Sequence, residues 1–216
     1  MCGFIGRISL NQETIFDKGI NDGLSLMKHR GPDEQKIETG SYWDFGFCRL
    51  SILDLTDSGS QPMYSDDGSS IILFNGEIYN YIELRNLLLK NNIKINSTGD
   101  TEVLINILKI YGSDGLNLLN GMFSIAYFDL KKKKLLLARD RAGKKPLLYY
   151  KDKNKIIFGS EQKAICEIED INKELDHIAI NQYFCYGYIQ SPKTIFKNIK
   201  KLEPAHFIEI DLFNEP

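Results

Sequence analysis

The chain lacks several features that would assign it to a class at once. No stretch approaches the roughly 18 apolar residues of a membrane span, and no basic start with an apolar run and cleavage site suggests a secretory signal. Its formal net charge is −2, so there is no global basic field to recruit nucleic acid or an anionic membrane. The four cysteines, Cys2, Cys48, Cys166 and Cys185, form no CxxC pair, which argues against a zinc site or a dithiol redox motif. His29, His177 and His206 show no metal-ligand spacing, and no metal site is expected. Neither GxGxxG nor GxxxxGK followed by Ser or Thr occurs, so no phosphate-binding glycine loop is encoded. These absences lead to the expectation of a cytoplasmic protein with free thiols and no nucleic-acid or membrane partner.

What is present is ordinary globular composition, 43% hydrophobic and 26% charged over 216 residues. That is enough to bury a large core, and 1–216 reads as a single domain. Gly3–Leu10 reads as a strand, and Phe16, Ile20, Leu24 and Met27 recur at helical spacing. Strands are expected at Glu34–Thr39 and Asp44–Ile52, with a loop from Asp54 to Pro62 and a short buried strand, Ile71–Phe74, that ends in Asn75-Gly76. Leu84, Leu87 and Leu88 mark a helix ended by Asn91-Asn92. Val103, Leu104, Ile107, Leu108 and Tyr111 mark another, with Asp100 well placed as its N-cap. Met122–Leu130 and Lys134–Arg139 read as a hairpin around the solvated turn Lys131–Lys134, and Leu147–Tyr150 with Ile156–Phe158 as a second. Short helices at Glu161–Glu167 and His177–Phe184 and a strand at Phe207–Asp211 complete an α+β pattern.

A few positions could carry chemistry. Removal of Met1 would leave Cys2 with its own α-amine a few ångströms from its thiol. That amine has an unperturbed pKa of about 7.7–8.0, suited to a general base, and a thiol at about 8.5 needs modest help to ionise. Nucleophile and base would then reside in one residue. Asn75-Gly76 could supply a side-chain amide and a backbone N–H to a developing oxyanion, or form a type I′ turn. Arg49 could clasp a substrate carboxylate or join a salt bridge. Asp100 could hold an ammonium or only cap its helix, while Arg30 and Asp33 shape the His29–Asp33 turn or help it close over a ligand.

Taken in order, these strings resemble a known family. Met1-Cys2-Gly3-Phe4-Ile5-Gly6 followed by His29-Arg30-Gly31-Pro32-Asp33 is similar to the opening of class II glutamine amidotransferase domains. Arg49-Leu50-Ser51-Ile52-Leu53-Asp54, Gln61-Pro62-Met63, Asn75-Gly76-Glu77-Ile78-Tyr79-Asn80 and Gly99-Asp100-Thr101-Glu102 resemble the asparagine synthetase branch. So do Gly121-Met122-Phe123, Arg139-Asp140-Arg141, Pro146-Leu147 and Ser160–Ala164. Two departures stand out: Lys144, where members commonly carry a hydrophobic residue, and Leu202-Glu203-Pro204-Ala205-His206, where Leu-Pro-Pro-Gly-His is common.

The resemblance implies an N-terminal-nucleophile hydrolase fold, a four-layer αββα sandwich of two antiparallel sheets between helical layers. It implies Cys2 as nucleophile and base, Asn75 and Gly76 as oxyanion hole, Arg49 on the glutamine carboxylate and Asp100 on its ammonium. Leu50, Ser51, Ile52, Leu53 and Glu77 would line the pocket. The implied reaction is glutamine hydrolysis to glutamate and ammonia through a γ-glutamyl thioester. The domain itself needs no cofactor; ATP and magnesium belong to a C-terminal synthetase domain that amidates aspartate, toward which the last ~20 residues would lead. Implied partners are L-glutamine, that synthetase domain in cis or in trans, and a second copy of the chain as a homodimer. The alternatives are amidation of another carboxylate, such as a sugar uronic acid, and a non-catalytic module of the same fold.

Overall fold

The computed structural model describes residues 1–14, 19–53 and 55–212. Phe16 and Asp54, both used in the readings above, lie outside the described residues. In chain order the elements are β1 (Gly3–Ser9), α1 (Gly19–Leu26), β2 (Glu34–Thr39), β3 (Trp43–Arg49), β4 (Met63–Tyr64), β5 (Ser70–Ile78), α2 (Tyr81–Lys90) and α3 (Thr101–Tyr111). They continue with β6 (Gly121–Asp129), β7 (Lys134–Arg139), β8 (Leu148–Lys151), β9 (Lys155–Gly159), α4 (Gln162–Ile165), α5 (His177–Tyr186), β10 (Ile199–Lys201) and β11 (Phe207–Asp211). Among the described residues no helix is long and apolar enough to cross a membrane.

The strands form two antiparallel sheets, ordered β10-β8-β9-β1-β3-β2 and β11-β7-β6-β5-β4. Strand alternation divides their side chains between separate cores. Phe4 and Ile8 of β1, Trp43, Phe45 and Phe47 of β3, and Ile156 and Phe158 of β9 face the second sheet. From that sheet Ile71, Leu73, Phe128, Leu135 and Leu137 meet them. Edge and tilted ring contacts, such as Phe45 with Phe128 at 6.1 Å and with Phe158 at 5.7 Å, fill this layer.

The intervening residues face outward. Ile5, Cys48 and Ile157 pack on Ile20 and Leu24 of α1 and on Ala164 and Ile165 of α4. Ile72, Phe74, Ile125 and Leu136 pack on Leu84 and Leu88 of α2 and on Val103, Leu104, Ile107 and Leu108 of α3. Helices, sheet, sheet and helices therefore stack in the four-layer order expected from the family resemblance.

Three local expectations need correction. β3 ends at Arg49 rather than Ile52, because the following N–H groups find partners outside the sheet: Leu50 N–H meets the Cys2 thiol, and Ser51 N–H meets the Asp33 carboxylate at 2.8 Å. β5 does not stop before Asn75-Gly76. It runs through them to Ile78, with Asn75 opposite Ser124 and Gly76 opposite Phe123. The turn reading of Asn-Gly is thus overridden by tertiary pairing. β4 and β10 were not anticipated, being two and three residues long, too short for a periodic pattern.

Candidate active site

The same alternation that sorts the cores turns polar at one end of the sheets. Cys2 continues the inward face of Phe4, and Arg49 continues that of Phe45 and Phe47. Across the gap, Asn75 and Glu77 continue the inward face of Ile71 and Leu73. These four residues, with Gly76, Leu50, Ser51, Ile52, Leu53 and Asp100, line one cleft of about 290 Å³. Every residue that the family resemblance assigns to catalysis or substrate contact is brought together there, whereas Arg30 and Asp33 stay outside the lining.

Cys2 is tied down on both sides. Its thiol donates to Leu50 O at 3.4 Å and receives Leu50 N–H at 3.3 Å. Its carbonyl accepts Arg30 Nε–H at 3.0 Å, and Arg30 in turn pairs with Glu161 at 3.1 Å. Arg30 therefore braces the chain start. Asp33 also holds the loop beside the cleft, and Gly31 lets that turn lie flat on β3, since a Cβ there would sit 2.3 Å from the carbonyl carbon of Cys48. Burial pushes the Cys2 thiol up, opposed by the Leu50 N–H, the chain's amino terminus, Arg49 and Lys145. Cys48, by contrast, points to the outer face, and burial with the neighbouring Cys2 raises it to about 11. It is a packing residue.

The edge of β5 explains the Asn-Gly pair. Phe123 directs its N–H and carbonyl to Asp140, on the β7 side, so the Gly76–Phe123 pair exchanges no ladder bonds. Phe74, Gly76 and Ile78 therefore present their N–H groups along the other edge of β5. The Phe74 N–H is taken by Gln61 Oε1 at 2.6 Å and the Ile78 N–H by Asp100 Oδ2 at 2.8 Å. Between them, the Gly76 N–H faces the cleft. Only glycine fits at this point, because a Cβ would lie 2.2 Å from Met122 O. Beside it, the Asn75 side chain is 1% exposed and its Nδ2 has no hydrogen-bond partner among the described residues. A buried amide left unpaired is costly, and it stands next to a backbone donor in the lining of the same cleft.

The charged walls are equally specific. Arg49 is buried and reaches Glu34, its register partner on β2, at 3.5 Å. The salt bridge considered from the sequence exists, yet the guanidinium also lines the cleft. Asp100 stands at the head of α3 but places no side-chain capping bond on that helix; its carboxylate turns to Ile78 instead. It is 6% exposed, and burial raises its pKa to about 6 against the pull of nearby backbone N–H groups. Burial and the charge of Asp100 raise Glu77 as well. An arginine and a carboxylate in the wall of one cleft match the two charges of a zwitterionic amino acid.

Several lining residues escaped the sequence reading as site residues. Gln61 substitutes for a missing strand partner by bonding both the N–H and the carbonyl of Phe74. Lys145 is buried at the cleft wall. Gln61-Pro62-Met63 and the segment around Pro146 were legible only as family strings, with no spacing that could give them a role. His29 sits outside on Glu161, His206 lies against Pro204 O, and His177 starts α5. None of the histidines lines the cleft.

Comparison with known proteins identifies the family. The glutamine amidotransferase domain family matches residues 1–214. A Methanocaldococcus jannaschii relative bearing an asparagine synthetase (glutamine-hydrolyzing) name is 39% identical over 98% of this chain and 44% of its own length. The Bacillus subtilis asparagine synthetase (glutamine-hydrolyzing) 3 is 36% identical over 95% of this chain and 34% of its own. The chain thus spans less than half the length of these curated relatives. Among solved structures, glutamine phosphoribosylpyrophosphate amidotransferase from B. subtilis shares the fold, with a TM-score of 0.63 at 15% identity over 98% of this chain and 49% of that one. With the family match spanning nearly the whole sequence, the chain belongs to the glutamine amidotransferase domain family.

Proposed function

We propose that the chain hydrolyses L-glutamine to L-glutamate and ammonia, with Cys2 as an N-terminal nucleophile once Met1 is removed. The observation that carries this reading is the unpaired, buried Asn75 amide, set beside the cleft-facing Gly76 N–H in the same cleft as the Cys2 thiol. Arg49 and Asp100 receive the α-carboxylate and α-ammonium of glutamine and present its side-chain amide to the thiol. The freed α-amine of Cys2 accepts the thiol proton, and the thiolate attacks the amide carbon. The oxyanion that forms meets Asn75 Nδ2–H and Gly76 N–H, donors already oriented and shielded from water. Return of the proton from the α-ammonium to the leaving nitrogen releases ammonia and leaves a γ-glutamyl thioester. Water, deprotonated by the same amine, then hydrolyses it to glutamate.

The names of the relatives support a further step. The ammonia passes to a synthetase domain that amidates aspartate with ATP, in cis or in trans, so that asparagine is the final product. The test is glutamate release from glutamine by protein whose intact mass shows Met1 removed, against the form that retains it. Release by the processed form alone is expected; equal release by both forms would overturn the N-terminal amine as base.

A further inference from the structure

The segment between β7 and β8 is held with unusual completeness for a loop. The Asp140 carboxylate accepts the N–H groups of Phe123, Ala142, Lys144 and Lys145, at 3.2, 3.1, 2.9 and 2.9 Å. The neighbouring Arg139 guanidinium donates to the carbonyls of Gly143, Lys145 and Leu202, at 2.7, 2.8 and 2.6 Å. One buried anion and one cation thus fix the backbone of Lys145 from both sides. A loop pinned this way has a single conformation to offer.

What it offers is an ammonium group. Lys145 is 5% exposed and lines the cleft that holds Cys2. Among the described residues its Nζ has one polar partner, the Met1 thioether sulfur at 3.2 Å. A thioether is a weak acceptor and no counter-ion, and a buried charge without one is expensive. The other ionic groups around Cys2 have partners or other tasks. Arg49 on β3 reaches Glu34, Asp100 at the head of α3 holds the Ile78 N–H, and Arg30 holds the Cys2 carbonyl from the turn before β2. Glu77 on β5 feels the Lys145 charge without touching it. Cys48 lies on the opposite face of the sheet.

We infer that Lys145 is the built-in counter-ion of the Cys2 thiolate, presented by the Arg139–Asp140 clamp and freed when Met1 and its sulfur leave. Lys145 is a positioning residue that acts through Cys2. It favours ionisation of the thiol over retention of its proton. The Lys145 charge works against the burial that pushes the Cys2 thiol up. The inference rests on Cys2 being the nucleophile, but its test needs no glutamine.

The experiment is site-resolved alkylation of Cys2 by iodoacetamide across pH, read by peptide mass, on processed wild-type protein and on Lys145→Met and Lys145→Arg. Loss of the charge should move the Cys2 inflection upward by about one pH unit or more, while Lys145→Arg should stay near wild type. Superimposable curves for wild type and Lys145→Met would overturn the inference. If Lys145→Met melts early by circular dichroism, Lys145→Gln takes its place in the same comparison. Glutamate release is followed in parallel. A shifted inflection in protein that never releases glutamate would leave Lys145 in its role and overturn the glutaminase reading alone.

Discussion

Two arginine–carboxylate pairs bridge neighbouring strands of the six-stranded sheet, and they do opposite things. Arg7 and Asp44 are register partners on β1 and β3. They lie on the outward face, both buried, and close two bonds of 3.1 and 2.6 Å. Arg49 and Glu34 are register partners on β3 and β2, on the inward face, and stand 3.5 Å apart where the sheet opens into the cleft. The first pair has satisfied its charges within the fold. The second sets a guanidinium in the wall of the cleft, where a ligand carboxylate can also reach it. The difference shows how to separate structure from function among buried polar groups: the face a pair lies on, more than its burial, sets whether a ligand can reach it.

Four experiments would break or sharpen that contrast. Replacing Cys2 by Ala should abolish glutamate release while leaving the melting temperature near wild type; residual turnover at the wild-type rate would remove Cys2 from the chemistry. Asp44→Ala should lower stability by about 3–5 kcal/mol, because it strands the buried Arg7 charge, and should leave the KM for glutamine of the protein that remains folded unchanged. Denaturant titration and steady-state kinetics on the same preparation would measure both. Asn75→Ala should reduce kcat by about a hundredfold to a thousandfold with little change in KM; a change confined to KM would make Asn75 a binding residue. Arg49→Ala should chiefly raise KM, about tenfold or more for a lost charge-assisted contact, and an unchanged KM would reduce Arg49 to the same category as Arg7.

The smallest effect is the most diagnostic, because its two parts have opposite signs. The folded pKa of Asp100, about 6, lies above the ordinary aspartate value. The empty protein therefore binds the proton more tightly than the unfolded chain does. That contribution to stability is complete in acid and is lost as pH rises through about 6. Glutamine, in contrast, needs the ionised carboxylate, so its affinity should fall up to about tenfold for each pH unit below about 6. Asp100→Asn should flatten both slopes, as read by melting against pH and by KM against pH. Persistence of either slope would assign it to another group.

Much of this was legible in the sequence because its determinants are local. The strand at β1, the hairpins and the helical spacing in α2 and α3 are written in neighbouring residues and give the α+β pattern, whereas the four layers followed only from the family resemblance. The positions of Cys2, Arg49, Asn75 and Asp100 in one cleft were legible only through the family resemblance, since no spacing in one dimension brings residues 2, 49, 75 and 100 together. Asn75-Gly76 shows the limit clearly. Its local chemistry says turn, and only the partner strand β6, some fifty residues away, makes it strand. Lys145 was invisible for a related reason. Its place depends on Arg139 and Asp140 bonding backbone groups, and backbone groups have no letter in a sequence.

The alternation of β1 also acts as a ruler. Cys2 faces the cleft because it lies two residues before Phe4, and Phe4 is fixed by the aromatic layer between the sheets. One residue inserted between them would leave the ladder with β3 and β9 able to form, yet would turn the thiol toward the helices. Under the proposed mechanism, the even step from thiol to first core ring is thus itself a requirement of the site, and a frame error of one residue would silence it without unfolding the protein.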